Sequence, residues 1–164
     1  MEDWELDDIN SEHDVETIEE SDNTQENKFL TFYLGNEAYG IEIQKVIEIV
    51  EIQKITRVPE TLPFIKGVMN LRGNVIPVMD LRLRFNMAET AYTDRTCVII
   101  VSELETTVGL IIDSVSEVME ILNKNIDPIL ERQNGMNQFV KGIGKANNQI
   151  KMLIDLNKLL FEGT

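Results

Sequence analysis

The feature that most restricts how this chain can fold is an internal repeat. Displaced by 69 residues, Gly40, Val46 and Glu48 fall on Gly109, Val115 and Glu117, and Ile41, Ile43 and Ile49 fall on Leu110, Ile112 and Val118. Displaced by 75, Phe64-Ile65-Lys66-Gly67-Val68 falls on Phe139-Val140-Lys141-Gly142-Ile143. The same step carries Val75, Val78, Asp80 and Leu81 onto Ile150, Leu153, Asp155 and Leu156. The change of step marks an insertion between Val118 and Phe139, where Asp127-Pro128 and Asn134-Gly135 make added residues cheap. Each copy, at about 60 residues, buries little core alone, so two copies packed together are the stable arrangement.

The texture of each copy is that of short strands. Phe29–Leu34, Gly35-Asn36 and Tyr39–Ile43 read as a hairpin. Val46–Ile52 reads as a strand entered through one helical turn. Val75–Met79, Thr96–Val101, Val108–Ile112 and Ile150–Ile154 read as further strands, with Pro77 requiring a sheet edge or a bulge. No helical periodicity extends beyond about two or three turns. Asp80 and Asp155 are placed as N-caps of short helices, Leu81–Phe85 and Leu156–Phe161. The fold class is therefore mainly β: two small barrels packed together, with short helices at the barrel ends. The expected bounds are a tail at 1–27, a first barrel at 28–90 completed by a strand from about 150–155, a second barrel at 91–149, and a C-terminal strand and short helix at 150–164.

Charge separates the tail from the rest. The formal net charge is −14, yet residues 1–26 hold twelve acids and no Lys or Arg, leaving 17 acids against 15 bases beyond them. With only Trp4, Leu6, Ile9, Val15 and Ile18 as large apolar residues, that tail reads as disordered. It is either a solubilising segment or an acidic recruitment motif. No basic region precedes an apolar one at the N-terminus, and the longest apolar run, Cys97–Val101, is far below the ~20 residues of a membrane span. A cytoplasmic protein without membrane insertion is expected, and one cysteine agrees with a reducing compartment.

Chemistry is scarce. His13 is the only histidine and lies in the tail, which leaves no imidazole for base catalysis or metal ligation in the folded part. Cys97, within a strand, reads as a buried and inert thiol. Gly142-Ile143-Gly144-Lys145 lacks the spacing of a phosphate loop. No catalytic residue, metal or cofactor is assigned. A nucleic-acid-binding barrel is disfavoured because the slightly acidic core carries no basic stripe interleaved with aromatics. Arg82 and Arg84 read as an exposed charged helix. Arg72, in Asn70-Leu71-Arg72-Gly73-Asn74, is either a solvated turn residue or a recognition element offering five fixed donors to a carboxylate. The second copy has Asn147 and Asn148 in place of Arg72 and Gly73, and that asymmetry favours function.

Phe64-Ile65-Lys66-Gly67-Val68-Met69-Asn70-Leu71-Arg72-Gly73, continuing through Pro77-Val78-Met79-Asp80-Leu81, resembles the signature of the CheW family of bacterial chemotaxis coupling proteins. Tyr39-Gly40-Ile41-Glu42-Ile43 and Lys45-Val46-Ile47-Glu48-Ile49 resemble its earlier segment. The resemblance implies two SH3-like five-stranded β-barrels. It also implies an adaptor, not an enzyme, joining the regulatory domain of the histidine kinase CheA to methyl-accepting chemoreceptor tips in membrane-associated arrays. By the same likeness Arg72, Glu48 and Val46 are partner contacts, with Asn70, Leu71 and Gly73 shaping the turn.

Overall fold

The structure, a computed structural model, describes residues 25–129 and 138–162, so the expectation for the tail falls almost wholly outside the described residues. The first copy runs β1 (Lys28–Leu34), β2 (Glu37–Glu42), a 3-10 turn at Ile43–Lys45, β3 (Val46–Glu51), β4 (Ile65–Leu71), β5 (Asn74–Asp80) and α1 (Leu81–Arg84). The second runs β6 (Cys97–Glu103), β7 (Thr106–Ile112), β8 (Ser114–Glu120), a 3-10 turn at Asn123–Asn125, β9 (Ile126–Pro128), β10 (Val140–Ala146), β11 (Gln149–Ile154) and α2 (Leu156–Phe161). The fold is mainly β, with SH3-like barrels and few short helices. Apolar patterning does not isolate β4, β8 or β10, because Lys66-Gly67, Ser114 with Ser116, and Lys141-Gly142 interrupt it.

The strands form a five-stranded sheet, β3-β6-β7-β5-β4, and a six-stranded sheet, β8-β1-β2-β11-β10-β9. Each sheet combines the leading hairpin of one copy with the later strands of the other. Hairpin β6–β7 lies between β3 and β5; hairpin β1–β2 lies between β8 and β11. The joins are equivalent. Antiparallel β3–β6 matches β1–β8, and parallel β5–β7, with Val78 beside Gly109, matches β2–β11, with Tyr39 beside Met152. The contiguous bounds 28–90 and 91–149 are therefore corrected: the first barrel is built from 46–80 with 97–112, and the second from 28–42 with 114–154. The strand near 150–155, expected to complete the first barrel, joins β2 within the second.

The exchanged hairpins are buried on both faces. On β6, Val98 and Ile100 point into the first barrel with Met69, Ile76 and Val78. Ile99 and Val101 point the other way, into a central core shared with Leu30, Phe32 and Ile41 of the other hairpin. The uninterrupted apolar run Cys97–Val101 is the sequence mark of burial on two sides. A smaller core of Phe29, Met119, Ile121 and Leu153 fills the second barrel. Because the largest cluster lies between the barrels, the two halves form one body.

Pro77 is neither at a sheet edge nor at a bulge. It pairs with Val68 inside β5, which has neighbours on both sides, but the ladder to β7 begins one residue later at Val78. A missing N–H there interrupts nothing on the β7 side. The first barrel closes where the chain after β3 reaches β4, through mutual hydrogen bonds of 2.8 Å between Thr56 and Val68. Gly67 permits this approach: its φ is +144°, and a Cβ there would lie 2.1 Å from the Thr56 carbonyl oxygen.

Both expected caps form. The Asp80 carboxylate accepts the Leu83 N–H at 3.3 Å, and Asp155 accepts the Lys158 N–H at 3.1 Å. The helix reading of Arg82 and Arg84 as exposed charges is overturned. Arg84 is buried, and its Nε and Nη2 donate to the Leu159 carbonyl at 3.1 and 2.9 Å. Arg82 holds Asp113 through two hydrogen bonds, Nε to Oδ1 at 2.8 Å and Nη2 to Oδ2 at 2.5 Å. Short helices leave several carbonyls without partners, and a buried guanidinium satisfies them without water.

Candidate functional site

The β4–β5 hairpin turns on Arg72 and Gly73, both with positive φ, 51° and 87°. A two-residue turn of this hand matches the twist of the flanking strands but asks for Gly, Asn or Asp at both central positions. The second copy obeys that demand with Asn147 (φ 53°) and Asn148 (φ 61°). Arginine at the first position carries a backbone cost that asparagine avoids, and the β6–β7 turn carries the same cost at Leu104 (φ 49°) and Glu105 (φ 63°). Asn70 holds the turn, its Oδ1 accepting the Gly73 N–H at 2.8 Å.

The turn delivers Arg72 to Glu48. Nη1 meets Oε1 at 2.6 Å and Nη2 meets Oε2 at 2.7 Å, a parallel two-bond pairing. Glu48 stands on β3 and Arg72 beyond the end of β4, the two outer strands of the five-stranded sheet. The pair therefore spans the seam where the barrel closes. The Arg72 side chain is 70% exposed and that of Glu48 26% exposed. The hydrogen bond from Arg72 holds the Glu48 carboxyl below its ordinary range, and Glu48 in turn raises the guanidinium. Such a pair is open to exchange, because a partner's carboxylate can take one face of the guanidinium while solvent screens Glu48.

The other expected contacts divide. Gly73 is exposed, with nothing within 4 Å of the place a Cβ would occupy. Leu71 is buried in the first barrel's core, so it anchors the turn and presents no contact surface. Val46 is half-buried, pairs with Val101 and packs against the central core, so it seats β3. Three exposed apolar residues close to the pair along the strands escaped the sequence reading: Ile47 and Ile49, on either side of Glu48 in β3, and Val75, cross-strand from Asn70. A signal for them exists. Val46-Ile47-Glu48-Ile49-Val50 is apolar in both parities, more than an edge strand with one buried face needs.

Two titratable groups elsewhere in the described residues are held in structural surroundings. Asp80, buried, accepts from Leu83 N–H and from the Tyr92 hydroxyl at 2.9 Å, so its carboxylate is committed to structure. Burial raises the Cys97 thiol above its ordinary range, which keeps it protonated and a poor nucleophile. Among the described residues no group of three or more His, Cys, Asp or Glu could hold a metal ion, and no helix is long and apolar enough to cross a membrane.

Known proteins resemble this chain in sequence and, for one, in structure. The chemotaxis protein CheW of Klebsiella aerogenes is 39% identical over 134 residues, covering 81% of each chain. That of Bacillus subtilis is 37% identical over 134 residues, covering 81% of this chain and 86% of its own. The crystal structure of the scaffolding protein TtCheW from Thermoanaerobacter tengcongensis superposes with a TM-score of 0.77 at 38% identity, covering 83% of this chain and 93% of that one. The model of the CheW-like domain matches residues 28–162, both barrels and both helices. This chain belongs to the CheW-like domain family.

Proposed function

We propose that this chain is a non-catalytic adaptor of bacterial chemotaxis signalling, joining methyl-accepting chemoreceptors to the histidine kinase CheA. The observation that carries this reading is the reach of the family match, which takes in every described strand and helix. Relatives over the same length are named chemotaxis proteins, and one of them a scaffolding protein. In this reading the kinase's regulatory domain and the receptor tip occupy separate faces of one body, at the cytoplasmic ends of membrane-associated receptor arrays. Arg72 and Glu48 are the primary contacts, Asn70 and Gly73 fix their turn, and Val46 and Leu71 support it from within.

Coupling then follows from stiffness. A receptor that changes shape shifts the kinase only if the adaptor binds the active and inactive arrangements unequally. A central core shared by both barrels lets one face move with the other. The test is reconstitution of receptor fragment, kinase and this chain, with kinase autophosphorylation as the readout. The chain should change the rate in a receptor-dependent way; an unchanged rate together with no binding to either partner would overturn the reading.

A further inference from the structure

The comparison of copies that singles out Arg72 also singles out Lys151. Lys151 stands on β11 at the position that Ile76 holds on β5, and Ile76 belongs to the first barrel's apolar core. Lys151 is 2% exposed, as deep as Leu30. Its one side-chain interaction among the described residues is with the Tyr33 ring, whose centroid lies 5.5 Å from Nζ. No ion pair among the described residues involves it. Every fully buried side-chain nitrogen or oxygen among those residues has a hydrogen-bond partner, so Nζ, which has none, holds part of the narrow solvent window that Lys151 leaves open. The stem is buried and the ammonium lies at that narrow opening, beside the Tyr33 ring.

The surroundings are built for this. Lys151 directly precedes Met152, the partner of Tyr39, which sets it beside Ala38. Ala38 pairs with Tyr33, and Tyr33 pairs with Ser114. Ala38, between the two in the sheet, adds only a methyl group there. In the first copy the corresponding positions are Ile76, Thr107 and Ser102, which supply neither cation nor ring.

We propose that the Lys151 ammonium, held against the Tyr33 ring at the solvent window of the second barrel, is a contact point for a carboxylate on a partner protein. An ammonium has three donors, and the ring face satisfies the charge without consuming them all. The buried stem is already ordered, so pairing loses little side-chain entropy. A partly desolvated cation also gains more from an incoming carboxylate than a solvated surface lysine does. This inference rests on the adaptor reading, and it gives the second barrel a contact of its own beside the Arg72 turn of the first.

Two measurements separate the site from that reading. In the first, isotope-labelled full chain is titrated with a tri-glutamate peptide and no partner. The Tyr33 ring resonances should shift in a saturable way that salt reverses; Lys151→Met should abolish the shift and Lys151→Arg should retain it. No salt-sensitive shift at Tyr33 overturns the site. In the second, affinity is measured for the receptor fragment and for the kinase regulatory domain. Lys151→Met should weaken one of the two about tenfold, with Lys151→Arg within about threefold of wild type. A Tyr33 response with both affinities unchanged overturns the partner role. Failure of the wild-type chain to bind either partner overturns the adaptor reading, and the partner role with it, even where the peptide response is intact. Lys151→Met places an apolar side chain where the first copy has Ile76, so its unfolding midpoint should not fall, and a fall would trace any lost affinity to folding and overturn the contact.

Discussion

Phe64 and Phe139 hold the same position in the two copies and share one guanidinium: the Arg84 Cζ lies 4.3 Å from each ring centroid. Arg84 also donates to the carbonyl of Leu159, the residue at its own position in the second copy. The approximate symmetry of the repeat is thus broken between the two rings by a buried cation, which joins α1 to the end of α2.

Arg84→Leu, which makes the two copies alike, should destabilise the fold by about 2–4 kcal/mol, since buried carbonyls lose their donors and both rings lose the cation. Arg84→Lys should recover only part of this, because an ammonium cannot fill a planar site between rings. Urea denaturation of the three proteins measures both differences.

The same glycine position should respond unequally in the two copies. Gly67→Ala drives a Cβ to 2.1 Å from the Thr56 carbonyl oxygen at a φ of +144°, so it breaks the closure of the first barrel. A loss of about 3 kcal/mol or more is expected. At Gly142 the nearest atom is the Ile126 Cγ2, 3.1 Å away, and no positive φ adds strain. Gly142→Ala should be tolerated to within about 1–2 kcal/mol, and thermal melts of the pair rank them.

Stability and binding should separate at Arg72. Arg72→Asn installs the side chain that the second copy already uses in this turn, and it removes only an exposed ion pair. The melting temperature should stay or rise by about 1–3 °C, because relief of the turn outweighs a screened contact. Affinity for the receptor fragment or the kinase domain should fall by about tenfold. A variant that binds both partners as well as wild type would remove Arg72 from the contact surface.

Acid should release the bond between Arg82 and Asp113. The Arg82 hydrogen bond, and less strongly the Gly35 N–H, hold the Asp113 carboxyl below the ordinary range against the opposing pull of burial. A depressed folded pKa means the contribution is fully present above the unfolded value of about 4 and disappears as pH falls through the folded value. Asp113→Asn should therefore lower stability at neutral pH and flatten the acid limb of the stability profile. Midpoints of urea unfolding from pH 7 to pH 2 test the slope.

Local features were legible in order. Hairpin β1–β2, the helical turn before β3 and the caps at Asp80 and Asp155 depend on residues within a few positions of each other, so composition and spacing report them. The difference between the copies at Arg72 was legible because Asn147 stands at the equivalent place. Its partner's geometry was not: Glu48 is 24 positions away, and only barrel closure brings the two carboxylate oxygens to the guanidinium. Arg84 misled for the same reason. On a short helix an arginine reads as exposed, and nothing nearby in the chain announces the carbonyls of Leu159 and Glu162.

The amino-acid order alone determined the duplication, the strand-rich character of each copy, the helix caps and the asymmetry at the Arg72 turn. Tertiary structure decided which strands belong to which barrel. A run such as Cys97–Val101 specifies that both faces of a strand are buried, and alternation specifies which residues share a face. Neither says whose side chains do the burying. The hairpins β1–β2 and β6–β7 carry equivalent joining edges, so either copy's later strands satisfy the local pattern equally well, and only the assembled core selects the exchanged pairing.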